Sequence, residues 1–424
     1  MPATVVVGCQ WGDEGKARIV DELAGDASMV VRYGGGSNAG HTIALGDQVV
    51  KLHQVPSGVV RTGVRAVLGN GMVLHPPSLV EELEALRQMG FDTANVAISG
   101  NAHLVMPYHR LLERAEEEAR GAGAINTTGL GIGPAYTDKA ARRGIRMRDA
   151  VDAERFCHKV RSALERVNLI LQRVYGREPL GVEEIVAEYR LALARLASHV
   201  TDTALLVHRE LESGGKVVFE GAQATMLDLD HGTYPFLTSS TASAGGACSG
   251  AGIGPTAIDR VMGVYKAYTT RVGSGPFPTE LQDEVGEWLV EKGHEYGTTT
   301  GRRRRCGWLD VVVLRYAARI NGLTGMAMTK LDILSGLPSL RICVAYQYGG
   351  RRIDEYLPVD VPYDQVEPVY EEMPGWDEPI EEARTLGDLP GKARDYLARV
   401  ESLAGVPLEI VSVGPRRNQT ITVR

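Results

Sequence analysis

The segment that most restricts the fold stands at the start of the chain. Thr4–Val7 is an apolar, β-branched run. It leads through Gly8-Cys9-Gln10-Trp11-Gly12-Asp13-Glu14-Gly15 into Lys16, where a helical pattern begins. Strand, glycine-punctuated turn and helix in that order aim backbone N–H groups and a helix N-terminus at an anion, normally a phosphate. The spacing is not that of the standard phosphate loop. Gly8 to Gly15 encloses six residues in place of four, and Ala17 stands where Ser or Thr would hold Mg2+. An ordinary strand–helix turn is the alternative. Asp13 bears on the choice, because a carboxylate among phosphates is repelled unless it binds a metal or takes a proton. In a phosphate loop Asp13 is a Mg2+ ligand, a general base, or both in turn; otherwise it is a helix N-cap.

A buried strand feeding a helix belongs to an α/β architecture, and the rest of the chain repeats the theme. Further apolar runs at Met29–Arg32, Ala66–Leu68, Ala94–Ile98, Lys216–Phe219, Val261–Tyr268, Gly325–Met328, Arg341–Tyr346 and Leu408–Val411 read as buried strands between amphipathic helices. The clearest helix opens at Pro77-Ser78, with Leu79, Leu83 and Leu86 on one face and Gly90 at its end. The expected fold is α/β: a large, mainly parallel central sheet with helices on both faces, a phosphate loop at its N-terminus and long functional loops. Residues 1–424 read as one domain, with a mostly helical insertion at about 107–215 broken by the glycine-rich loop Asn126–Pro134. Asp230–Pro255, rich in Gly, Ser, Thr and Ala, reads as a long functional loop.

Composition excludes several classes. A net charge of −7 with 44% apolar residues is neither a disordered chain nor a dedicated nucleic-acid binder. Five scattered cysteines form no CxxC or Cys/His spacing, hence neither a disulfide framework nor a zinc signature. No apolar run approaches membrane length and no secretory pattern opens the chain, so no membrane partner and a cytoplasmic location are expected. There is no Gly-x-Gly-x-x-Gly after the first strand, no Gly-x-Ser-x-Gly and no His-Glu-x-x-His, which disfavours dehydrogenases, α/β-hydrolases and zincins.

Three more segments carry chemistry. Gly34-Gly35-Gly36-Ser37-Asn38-Ala39-Gly40-His41-Thr42 follows the second strand; its glycines admit close ligand approach, Asn38 can read a base or hydroxyl edge, and His41 can donate to a phosphoryl oxygen. Thr329-Lys330-Leu331-Asp332 resembles the Asn-Lys-x-Asp guanine reader, in which an Asp accepts from N1–H and the 2-amino group that adenine lacks. Thr298-Thr299-Thr300-Gly301 precedes four consecutive arginines, Arg302–Arg305. Beside a packed-looking Cys306–Asp310, bidentate binding of carboxylate or phosphate suits them better than a solvated run.

With these residues in one order, the chain resembles the adenylosuccinate synthetases. The likeness runs through QWGDEGK (Gln10–Lys16), NAGHT (Asn38–Thr42), Thr127–Lys139, EGAQ (Glu220–Gln223), Asp230–Ser240, Thr270–Leu281, TTGRRRR (Thr299–Arg305), TKLD (Thr329–Asp332) and Ser412-Val413-Gly414-Pro415. The resemblance implies a C–N ligase of purine synthesis that joins L-aspartate to IMP with GTP as co-substrate and Mg2+ as cofactor, through 6-phosphoryl-IMP. It implies Asp13 as base and Mg2+ ligand, with Gly40 offering a carbonyl to the metal. His41, Lys16, Gln223 and Lys139 join Asp13 in catalysis. GTP falls to Gly12, Gly15, Lys16, Ala17, Arg18, Gly40, His41, Thr42, Arg304, Lys330, Asp332, Ser412 and Gly414. IMP falls to Asp13, Asn38, Thr128, Gln223, Thr238, Arg302 and Arg142, the last reaching a partner subunit's site in a homodimer. Aspartate falls to Thr298, Thr299, Thr300, Arg302 and Arg304.

Departures from the resembled pattern are Ala17-Arg18 for Gly-Lys, Leu130 for Arg, Ala224 for Gly and Thr241 for Asn. Ala17 would be strained if its position needed positive φ. These changes leave open a specialised paralogue acting on a related 6-oxopurine nucleotide or another amine. From a different class, a GTP-binding switch would need Ser or Thr after Lys16 and a later Asp-x-x-Gly; Ala17 fails the first.

Overall fold

In a computed structural model of the chain, residues 3–46, 48–297, 301–356 and 359–423 are described. Ten strands form the central sheet: β1 Ala3–Gly8, β2 Met29–Arg32, β3 Arg65–Leu68, β4 Val96–Ser99, β5 Val200–Thr201, β6 Val217–Glu220, β7 Arg260–Lys266, β8 Gly325–Thr329, β9 Leu408–Ser412 and β10 Thr420–Thr422. Their order is β10-β9-β8-β7-β1-β6-β2-β3-β4-β5, and every pairing is parallel except β9–β10.

Burial on both faces explains why these strands read as continuous apolar runs instead of alternating ones. Val5 and Val7 point into a cluster with Met29, Val31, Phe219, Ala247 and Ala251. Val6 points the other way, into a cluster with Ile19, Val20, Val30, Met262 and Ala327. Ile19 and Val20 belong to α1, Lys16–Leu23, so the helix after the glycine turn folds back on the sheet it left.

Pro76–Gln88 is a helix as the pattern predicts, with Leu79, Leu83 and Leu86 buried. Between residues 107 and 215 lie helices Pro107–Arg120, Ile132–Ala140, Ala153–Arg173, Val182–Leu196 and Thr203–Glu212. Phe156, Val160, Leu164, Tyr189 and Leu193 pack with the three leucines in one core. The glycine-rich loop is shorter than expected, since Ile132-Gly133-Pro134 already belongs to a helix.

Three further differences have local causes. Ser339–Tyr348, which contains the expected strand Arg341–Tyr346, pairs in a second, four-stranded sheet with Leu309–Asp310, Arg351–Ile353 and Glu367–Pro374. β5 and β10 are too short to leave a pattern. Within Asp230–Pro255 the chain turns one helix, Gly245–Ala251. Its small residues let it press against Tyr33, where a Cβ on Gly250 would overlap the Tyr33 carbonyl.

Because the sheet is parallel, the loops after β1, β2, β6, β8 and β9 all leave from one end. Strand connections diverge to either side of β1, and ligands of open α/β sheets bind in the crevice at such a switch point.

Candidate active site

The β1 loop is shaped by a residue the sequence reading passed over. Glu14 is wholly buried, and its Oε1 accepts the N–H groups of Gln10 (3.1 Å) and Gly12 (2.9 Å). Its Oε2 accepts the Lys16 ammonium at 2.7 Å. Gly8 must be glycine, since a Cβ there would lie 2.5 Å from Glu14 Oε2 and 2.8 Å from Ala224 Cβ. Thr329, where a guanine reader has Asn, donates from Oγ1 to the Glu14 carbonyl at 2.6 Å and so ties the end of β8 to this loop.

The N-cap alternative for Asp13 fails. Gly15, at φ 81°, caps α1 without any side-chain hydrogen bond. Asp13 itself has φ 60°, and its carboxylate accepts Arg304 Nε at 2.8 Å. Arg304 also donates from Nη1 to Glu295 Oε2 at 2.6 Å. Ala17 lies inside α1, outside the positive-φ residues, and its buried side chain packs beside Ile43 and Leu52; the conditional strain does not arise.

The β2 loop is built around Arg32, buried completely, which donates to the Gly36 carbonyl at 2.8 Å and to that of His53. Asn38 Oδ1 accepts Gly36 N–H at 3.2 Å. His41 is buried, and its Nδ1 lies against Glu220 Oε1. Glu220, at the end of β6, also accepts the Ser57 N–H (2.7 Å) and hydroxyl (2.8 Å). Burial alone would raise its carboxyl, but His41, Arg32 and the Ser57 N–H hold it below the usual range. Glu220 stands in the EGAQ motif, yet only the fold reveals its pairing with His41. Thr42 is exposed on the next strand.

Beyond Glu220 in the same loop, Gln223 adopts φ 58° and its Oε1 is buried without a hydrogen-bond partner. Thr238 is half-buried, its N–H bonded to the Leu227 carbonyl at 3.0 Å. Arg302 donates to the carbonyls of Asn126 (3.0 Å) and Thr127 (3.5 Å), so the loop bearing exposed Thr128 meets the arginine run. Thr298, Thr299 and Thr300 lie outside the described residues. Lys139 is half-buried, donating to the Asn70 carbonyl at 3.0 Å, whereas Arg142 is exposed at φ 61° beyond the same helix.

At the end of β8, Lys330 has φ 59° and donates to Gly293 O (2.6 Å) and Glu295 Oε1 (2.7 Å). Asp332 is buried with Oδ1 unpartnered, and burial pushes its carboxyl up to about 6. The Ser412 hydroxyl donates to the Gly414 carbonyl at 3.0 Å. Arg18 donates to Thr420 Oγ1 at 2.7 Å and to the Arg416 carbonyl, joining α1 to the C-terminal loop.

Among the described residues, six non-glycine residues occupy the left-handed region: Asp13, Asn126, Arg142, Gln223, His294 and Lys330. Four of them are expected site residues and Asn126 holds Arg302, the clustering that a preorganised site produces. Of the departures, Leu130 packs beside Val73, Val105, Ile132 and Ala135, and Ala224 is fully buried; each serves as packing.

No group of three or more His, Cys, Asp or Glu that could hold a metal gathers among the described residues. The Asp13 carboxylate and the Gly40 carbonyl are hard oxygen donors of the kind Mg2+ takes alongside phosphate oxygens. Among the described residues no helix is long and apolar enough to cross a membrane.

Comparison with known proteins places the chain in a family. The adenylosuccinate synthetase family model matches residues 5–421. The adenylosuccinate synthetase of Moorella thermoacetica is 55% identical over 424 residues, covering 100% of this chain and 99% of that protein. That of Carboxydothermus hydrogenoformans is 55% identical over 421 residues, covering 99% of each. The solved, fully ligated adenylosuccinate synthetase from Plasmodium falciparum superposes with a TM-score of 0.94 at 37% identity, covering 100% of both chains. A cyanophage S-2L succinoaminodeoxyadenylate synthetase shares the fold alone, with a TM-score of 0.63 at 19% identity, covering 99% of this chain and 94% of that one.

Proposed function

The chain belongs to the adenylosuccinate synthetase family and is a GTP-dependent ligase of IMP and L-aspartate, and we propose how its own residues divide that work. The observation that carries the proposal is Asp13. It sits in left-handed conformation at the end of the central strand, caps no helix, and is paired with Arg304 of the arginine run.

Asp13 takes the N1 proton of IMP, which puts negative charge on O6. O6 attacks the γ-phosphorus of GTP; the O6–P bond forms, the bond to the β-phosphate oxygen breaks, and GDP leaves. Phosphoryl transfer is chiefly positioning and charge stabilisation. The loop N–H groups and Lys16 receive the phosphates, and His41, held at Nδ1 by Glu220, donates from its other nitrogen to the moving phosphoryl group. The product of this step is 6-phosphoryl-IMP. The aspartate amine then bonds to C6, the C6–O bond breaks, and phosphate departs, carrying off an oxygen that was a poor leaving group before phosphorylation. Gln223, whose amide oxygen lacks a partner, hydrogen-bonds the ring during this displacement.

Asn38, Thr128, Thr238 and Arg302 hold IMP, while Thr298, Thr299, Thr300, Arg302 and Arg304 hold the dicarboxylate by hydroxyls and guanidinium forks. Lys330, Asp332, Ser412 and Gly414 read guanine; Asp332 Oδ1, buried and unpartnered, suits the N1–H and 2-amino donors. Asp13 and the Gly40 carbonyl would hold Mg2+, which would neutralise phosphate charge there. Arg142, exposed away from the helix that carries Lys139, reaches the IMP phosphate of a second subunit in a homodimer. The enzyme works in the cytoplasm, a setting in keeping with its five free cysteines.

Phosphate release from GTP and Mg2+ tests this reading, with IMP and aspartate omitted in turn and ATP in place of GTP. Release requiring IMP, aspartate and GTP together is expected. Release from GTP alone would overturn the coupling of Asp13 to IMP, and release only with another oxopurine nucleotide or amine would mark a specialised paralogue.

A further inference from the structure

Glu295 is wholly buried, and none of the expected GTP, IMP or aspartate contacts includes it. Its carboxylate nonetheless gathers the polar ends of residues from several parts of the chain. Lys266 Nζ, at the end of β7, lies 2.9 Å from both oxygens. Lys330 Nζ lies 2.7 Å from Oε1, Arg304 Nη1 lies 2.6 Å from Oε2, and the Tyr268 hydroxyl donates to Oε1. The backbone joins in, since Arg304 N–H donates to the Glu295 carbonyl at 2.8 Å and Lys330 Nζ also donates to the Gly293 carbonyl at 2.6 Å. His294, immediately before Glu295, is one of the six left-handed non-glycine residues. Burial alone would raise the carboxyl, but Lys266, Lys330 and Arg304 hold it far below the usual range; burial drives Lys266 itself down to about 8.

One counter-charge would satisfy Lys266, so neutralising a buried lysine does not account for the other two cations. Lys330 comes from the loop assigned to GTP, and Arg304 from the arginine run assigned to aspartate as well as to GTP. With its ammonium engaged at Glu295 and Gly293, Lys330 meets a base through its stem and backbone. Arg304 is held on one side by Glu295 and on the other by Asp13. When substrate draws Asp13 away, Glu295 still fixes the guanidinium.

We propose that Glu295 is a positioning residue that sets Lys330 for guanine and Arg304 for the dicarboxylate through one shared buried carboxylate. This rests on the roles given above to Lys330 and Arg304.

Glu295→Gln alone strands the Lys266 ammonium, so the decisive variant is Glu295→Gln/Lys266→Met, which removes the buried charge with its partner. Its KM values for both GTP and aspartate are expected to rise at least about tenfold, more than the KM for IMP, in a protein whose circular dichroism matches wild type. Lys266→Met alone is expected to leave both within about threefold. KM values for GTP and aspartate in the double variant within about twofold of wild type would overturn the proposal, as would equal rises in Lys266→Met, since Glu295 would then merely neutralise Lys266. Should the double variant not fold, Glu295→Asp decides: keeping the charge but withdrawing it by one methylene, it is expected to raise both KM values several-fold, and unchanged values would overturn the proposal. Lys330→Ala and Arg304→Ala separate the two readings. If they raise the respective KM values while the Glu295 variants do not, positioning fails and the site reading stands. If they too change nothing, the site reading fails.

Discussion

Asp332 gives a pH-dependent test of guanine recognition. Its free carboxyl is pushed up to about 6 by burial, with Oδ1 unpartnered. Guanine offers two N–H donors that favour the ionised form, so binding lowers the carboxyl again. The sign follows from linkage: the free protein holds the proton more tightly than the complex, so GTP affinity is full above about 6 and falls as pH drops through that value. Between pH 7 and pH 5 the loss is about tenfold, or about 1.4 kcal/mol. Asp332→Asn removes the titration and points an amide N–H at the guanine donors. At pH 7 it is expected to weaken GTP about 100-fold, the scale of an unpaired donor in a buried polar site. Xanthosine triphosphate, with a carbonyl in place of the 2-amino group, should then bind better than GTP. Calorimetric Kd values for GTP at fixed Mg2+ from pH 5 to 8, taken as a ratio of wild type to Asp332→Asn, cancel the nucleotide's own phosphate titration. A flat ratio, or an unchanged preference for GTP over xanthosine triphosphate, would refute the assignment.

Asp13→Asn should abolish turnover, by about 10³-fold or more, while leaving the melting temperature within about 2 °C, because Asp13 caps no helix; substantial activity in a single-turnover assay would remove it as the base. Glu220→Gln should lower kcat about 10- to 100-fold with little change in KM, since it acts on His41, whereas His41→Asn should cost more. Gly8→Ala should destabilise the chain by about 2 kcal/mol or more in urea unfolding, because the added methyl meets Glu14 and Ala224.

Much of this was legible in the residues. Runs buried on both faces announce a parallel sheet, so nine apolar segments mark nine strands, though Ser339–Tyr348 lies in the second sheet. What escaped notice was short or relational. β5 and β10 span two and three residues, too few for any period to register. The helix Gly245–Ala251 is made of small residues that carry no amphipathic signal, and only its approach to Tyr33 explains them. Motif residues such as Lys16, His41 and Lys330 stand out in sequence. Their partners Glu14, Glu220 and Glu295 do not, because a buried carboxylate is defined by what surrounds it: Glu14 is buried by the folding of its own loop, while the neighbours of Glu220 and Glu295 come from other segments of the chain.

The three carboxylates share a logic that bears on how the site avoids collapsing on itself. A crevice meant for polyanions accumulates cations, and cations gathered before the ligand arrives repel one another. Three cations of this site, and the His41 imidazole with them, are held against a buried carboxylate behind them: Lys16 on Glu14, His41 on Glu220, Lys330 and Arg304 on Glu295. The carboxylates are unexposed, so they do not face the ligand, yet they fix each of these side chains in advance and remove part of the ordering entropy from binding. Asp13 breaks the pattern. It alone among these acids is partly exposed, with 29% of its side chain open, and it shares Arg304 with Glu295 instead of owning a cation. A carboxylate placed at the surface of a cation-lined crevice and held by a guanidinium that has a second anchor can be released to a proton donor without unseating its partner, which is the behaviour a base at this position requires.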